Sequence, residues 1–61
     1  MENREQYEEL AKSGISADEF CKRLIADGVG KFDVFVLLRD EFNMNLMECT
    51  AVYENTIASK G

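Results

Sequence analysis

Proline is absent from the chain, and Gly14, Gly28 and Gly30 fall between stretches whose apolar residues recur at three- and four-residue spacing. Proline and glycine are the residues that break helices, so a chain punctuated only at these points is free to be helical between them. The pattern predicts an all-α fold: a small bundle of three to four short helices, over about 2–13, 17–27, 31–42 and 46–59, in one domain spanning residues 1–61.

The first segment carries Tyr7, Leu10 and Ala11 on one side and glutamates on the other, with Gly14 suited to a left-handed terminator. The second has an explicit start. Ser16 is placed to cap the helix, Glu19 to reach back to the N–H of the cap, and Ile15 to staple onto Phe20. Its inner face is expected to be Phe20, Cys21, Leu24 and Ile25, and Gly28 suits a left-handed end that lets Val29 fold back on Leu24.

The third segment, KFDVFVLLRDEF, has the β-branched and aromatic content of a strand over residues 32–38 as well as the length of a helix. On a helix, Val34, Phe35, Leu38 and Phe42 share one face and Phe32 flanks it. Val36 and Leu37 fall among Asp33, Asp40 and Glu41, which predicts either a helix covered on nearly every side or an exposed apolar patch. The fourth segment starts as the second does, with Asn45 as cap, Glu48 closing the box and Met44 stapling toward Cys49. Leu46, Cys49, Val52, Tyr53 and Ile57 are its expected inner positions, with Met47 and Ala51 further round.

A chain of 61 residues buries only about 60% of the surface that its unfolded form exposes, which leaves little core to wall a catalytic pocket. No paired carboxylates, activated serine or phosphate-cradling loop stands out, so the chain is not read as an enzyme, and no cofactor is implied. Seven Lys and Arg against twelve Asp and Glu give a net charge of −5 with no histidine. That balance repels a phosphate backbone. The longest apolar run, VFVLL, is five residues, far short of the ~20 that span a bilayer, and the N-terminus lacks the order of a secretory signal. Cys21 and Cys49 have no metal-ligand spacing and sit at apolar helical positions, as buried reduced thiols of a cytoplasmic protein would.

Residues 42–45, Phe-Asn-Met-Asn, have the apolar, left-handed, apolar, capping order of a helix-turn-helix corner. The following LMECTAVYENT offers two glutamates and no arginine or lysine, the opposite of what base and phosphate contacts need. Over residues 19–54, Glu19-Phe20, Gly28, Lys31, Leu38-Arg39, Leu46, Glu48 and Val52 with Glu54 line up without a gap against the C-terminal domain of the bacterial ribosomal stalk protein, which this stretch resembles. In that family a helix-turn-helix docks translation-factor GTPases, so the resemblance implies a helical hairpin that meets a protein. Met47 and Thr50 stand where the family has lysines, which leaves Lys31 and Arg39 as the basic matches. The family continues with a strand, a helix and a further strand, none of which this stretch includes.

The expected function is a small acidic protein–protein interaction module, an adaptor, inhibitor or regulatory subunit, acting by helical docking or as a homodimer. Val36, Leu37, Arg39, Met44 and Met47 are the candidate interface. A helix-turn-helix DNA-binding regulator and an acidic mimic of nucleic acid are the alternatives. Nucleic acid and membrane are not expected partners.

Overall fold

The computed structural model describes the backbone of residues 4–60 and the side chains of residues 4–58. Within that span the chain is all-α: α1 (Arg4–Lys12), α2 (Ala17–Ala26), α3 (Lys31–Phe42) and α4 (Leu46–Lys60). The expected start of the first helix at residue 2 lies outside the described residues. Residues 32–38, for which a strand was the other reading, are helical throughout.

The junctions follow from local chemistry. Ser16 Oγ accepts from the Glu19 N–H at 3.2 Å and so satisfies one of the orphan donors at the start of α2. The Glu19 carboxylate does not close that box; it lies 3.8 Å from the Lys22 ammonium instead. At the other end Val29 N–H reaches Leu24 C=O and Gly28 N–H reaches Ile25 C=O, both at 3.0 Å, with Gly28 at φ +83°. That is a Schellman ending, which requires the left-handed residue that glycine supplies without a Cβ penalty. Between α3 and α4, Asn43 takes the left-handed position at φ 58°. The start of α4 is then closed reciprocally: Asn45 Oδ1 accepts from Glu48 N–H at 2.8 Å, and Glu48 Oε1 accepts from Asn45 N–H at 3.0 Å.

The core consists of Tyr7, Phe20, Cys21, Leu24, Val34, Leu37, Leu38 and Cys49, with one or more residues from every helix. α2 and α3 pack against each other, α1 covers that pair and α4 packs against both. Phe20 meets Phe42 with ring centroids 5.1 Å apart, tying α2 to the end of α3. The radius of gyration, 10.4 Å, matches the ~10.5 Å of a compact chain of this length. The accessible surface, 4190 Å², is close to the ~4000 Å² expected of a folded monomer of this mass. The bundle therefore closes its core within one chain.

Leu37, expected at an exposed interface, is fully buried. Its acidic neighbour Asp40 stays exposed, at the edge of the covered flank. Arg4 on α1 donates through Nη2 to Asp40 Oδ2 at 2.6 Å, which places α1 beside this flank of α3, and Leu37 joins the core cluster that all four helices share. The inner stripe of α4 is likewise shifted from the expected one. Cys49, Val52, Tyr53 and Thr56, at i, i+3, i+4 and i+7, turn inward. Leu46 and Ile57, expected inside, are 70% and 46% exposed. Thr56 serves at a buried position because its hydroxyl donates to Val52 C=O at 2.8 Å.

Candidate functional site

On the flank of α3 opposite α1, the first turns of α3 and α4 leave a groove of about 430 Å³ lined by Lys31, Phe32, Phe35, Val36, Arg39, Leu46 and Cys49. Its apolar lining follows from helical spacing. Phe32, Val36 and Arg39 recur at four and three residues along α3, and Leu46 and Cys49 are three apart on α4, so each set shares one face. Phe32 is 82% exposed, and Met47, beside Leu46 at the start of α4, is 82% exposed as well. Val36 is half-buried in the wall, and Cys49 forms the floor with its thiol 3.7 Å from Phe35 C=O.

The groove's charged residues are both cations. Lys31 Nζ lies 5.7 Å from the Phe35 ring centroid and 5.8 Å from that of Tyr53, and the two rings meet edge-on at 5.6 Å. Cation–π attraction to both faces fixes the ammonium at one end of the groove. Arg39, eight residues along α3, is exposed at the other end. It approaches a carboxylate only through Nε, 3.5 Å from Asp40, and Arg4 already holds that carboxylate more closely. Arg4 is also the main reason that Asp40 stays below the usual carboxylate range. Among the described residues no aspartate or glutamate lines the groove, and Glu48, the nearest acid on α4 in sequence, turns its carboxylate back to its own helix start.

Of the residues expected at an interface, the structure brings Val36 and Arg39 to this groove, Met47 is exposed in the first turn of α4 without lining it, and Leu37 belongs to the core. Met44 is half-buried and packs against the core. Phe32 and Leu46 were assigned near or in the core by the sequence pattern, yet they form the groove's most exposed walls. The signal for Phe32 was present in its position, since it lies one helical turn before Val36 and on the same side.

Elsewhere the polar chemistry is structural. The Tyr7 hydroxyl donates to Asp27 Oδ2 at 2.8 Å, and Arg23 Nε donates to the same oxygen at 3.2 Å. The two bonds offset the unfavourable place of a carboxylate at a helix C-terminus. They hold Asp27 below the usual carboxylate range, Tyr7 being the larger cause, and the same bond raises the Tyr7 phenol. Burial raises both cysteine thiols. Among the described residues no three metal-ligating side chains stand together, and no helix is long and apolar enough to cross a membrane. The expected recognition helix of a DNA reader, α4, presents Leu46, Met47 and Glu48 in its exposed first turn.

No family model matches the chain, and neither a curated protein nor a solved structure matches it at a significant level.

Proposed function

We propose that the protein is a non-enzymatic interaction module of the cytoplasm that docks on another protein through the groove between α3 and α4. The observation that carries this reading is the clustering of Phe32, Val36 and Leu46 around one concavity, with Met47 also exposed in the first turn of α4, in a chain that otherwise closes its own core. A lone exposed apolar residue is ordinary, whereas several large ones on a single small domain mark an interaction surface. Aromatic and methionine side chains are also the types that interfaces favour. The resemblance of residues 19–54 to a hairpin that docks GTPases in the ribosomal stalk family points to the same corner. Self-association has less support than docking on a different protein, because of the two residues expected to drive it, Val36 and Leu37, the second is buried.

The test is paired affinity purification from the native cell, with the wild-type chain and a Phe32→Ser/Met47→Ser variant as baits. Far-UV circular dichroism first establishes that the variant is folded. The reading expects one or more proteins to be enriched on the wild type and lost from the variant. Identical sets of retained proteins on both baits would rule the groove out as the docking surface.

A further inference from the structure

We infer that the occupant of the α3–α4 groove is an amphipathic helix of a partner protein that carries carboxylates at both ends of its apolar stripe, clasped by Lys31 and Arg39. This rests on the docking reading above and adds the chemistry of the partner.

Charge supplies the first step. Acidic residues outnumber basic ones twelve to seven in the chain, yet among the described residues the groove is lined by two cations and no acid. Both cations have capacity left for a partner. Among the described residues Lys31 pairs with no carboxylate, and it is held by ring faces, which orient the ammonium without neutralising it. Arg39 engages Asp40 through Nε alone, so the outer edge of its guanidinium remains open to a further carboxylate. An acidic occupant gains two ion pairs there, whereas a basic one meets like charge at each end.

Shape supplies the second. The described residues form helices alone, so there is no sheet edge for an extended peptide to join, and a groove between two helices suits a helix laid along it. Lys31 and Arg39 are eight residues apart, about 12 Å between their backbone positions along α3 at 1.5 Å per residue. A helix lying along α3 matches that span with carboxylates seven or eight positions apart and apolar anchors between them at i+3 and i+4, which fall on the same face. A second copy of this chain fits poorly. Pairing groove to groove sets concave against concave and cationic rim against cationic rim, between two molecules of net charge −5.

The probes are two fluorescein-labelled helical peptides of the same length with an identical leucine stripe. One carries glutamates eight positions apart beside the stripe, and the other carries lysines there. Binding to the full chain is followed by anisotropy, and the site by backbone amide shifts. The expected result is that the glutamate peptide binds at least about tenfold more tightly than the lysine peptide, with shifts centred on residues 31–39 and 46–49. The difference should shrink as salt rises from about 0.05 M to about 0.5 M, because exposed pairs are screened. A Lys31→Glu/Arg39→Glu variant with unchanged circular dichroism should reverse the order of the two peptides. Equal binding of both peptides in the groove, or tighter binding of the lysine peptide, overturns the acidic occupant and leaves the docking reading standing. Binding of neither peptide overturns the acidic occupant, and the paired purification then judges docking by itself. A dimer in sedimentation whose groove amides are protected from exchange overturns it in favour of a second copy.

Discussion

Arg4 of α1 and Asp40 of α3 meet across the bundle, Nη2 to Oδ2 at 2.6 Å, and the contact ties α1 to one flank of α3. With α1 drawn to that flank, Leu37 becomes core and the opposite flank, with Phe32 and Val36, is left for α4 and the groove. A single exposed ion pair stabilises little. Its place here is to accompany the apolar contact of Tyr7 and its neighbours, not to replace it.

The pH dependence of stability follows from this pair and from Tyr7–Asp27. Asp40 and Asp27 are held below their ordinary values, first by Arg4 and by Tyr7 respectively. A depressed carboxylate contributes stability that is present above its unfolded value, about 3.9, and is lost as pH falls through the folded one. Tyr7 is raised, so its contribution is present below the unfolded value, about 10, and is lost as pH rises beyond it. Thermal melts should therefore show Tm falling on the acid side below about pH 4 and on the alkaline side above about pH 10. Asp40→Asn should flatten the acid limb in part. Tyr7→Phe should flatten both limbs while lowering Tm only slightly near neutrality, because the ring stays in place. An unchanged alkaline limb in Tyr7→Phe would show that the hydroxyl does not hold this bond in solution.

The caps give a second prediction. Ser16→Ala removes the acceptor for the Glu19 N–H, and Asn45→Ala removes the acceptor for the Glu48 N–H. Each should cost about 1 kcal/mol, which in a domain of this size lowers Tm by about 4–8 °C. Asn45→Ala should be the larger of the two, because its box is closed in both directions and the freed Glu48 carboxylate loses its fixed position as well. Differential scanning calorimetry on the two variants checks the order.

Capping, breaking and turn chemistry were legible in the sequence because they act over three or four residues. Ser16, Asn45, Gly28 and Asn43 all occupy the places that local rules give them. The orientation of each helix about its own axis was legible only where one face was unambiguous, as in α2. On α3 apolar residues surround the helix on most sides, so the covered flank depended on where α1 came to rest, a tertiary contact beyond the reach of local rules. On α4 the inner position went to Thr56 and not Ile57, and hydropathy does not register that the threonine hydroxyl can be satisfied by Val52 C=O. The groove followed from these two rotations, which is why Phe32 and Leu46 were misplaced and Val36 and Arg39 were not.

The thiols offer a third prediction. Cys21 and Cys49 are buried, and burial raises both, so little thiolate is available at mildly alkaline pH. Neither should react with a thiol reagent at pH 8 in native buffer on the timescale of minutes, and both should react at once in denaturant. Cys49 lies at the groove floor and Cys21 within the bundle, so any native labelling should appear at Cys49 first. Mass spectrometry of partially labelled protein reads the order, and prior labelling of Cys21 would contradict the described packing.

The sharpest test of the fold sets Leu37 against Val36 and Phe32, residues within six positions of one another on α3 that differ in what covers them. Leu37 is fully enclosed, so Leu37→Ala leaves a cavity and should cost about 2–5 kcal/mol, a large share of the stability of so small a domain. Val36 is half-buried in the groove wall, so Val36→Ala should cost less, about 1 kcal/mol. Phe32 is 82% exposed, and Phe32→Ser should stay within about 0.5 kcal/mol of wild type in the isolated protein. Urea unfolding followed by circular dichroism ranks the three, with unchanged slopes showing that the midpoints report stability. Should Phe32→Ser prove as costly as Leu37→Ala in the free monomer, α3 would be rotated about its axis, and the groove with its cationic ends would lie on a different flank.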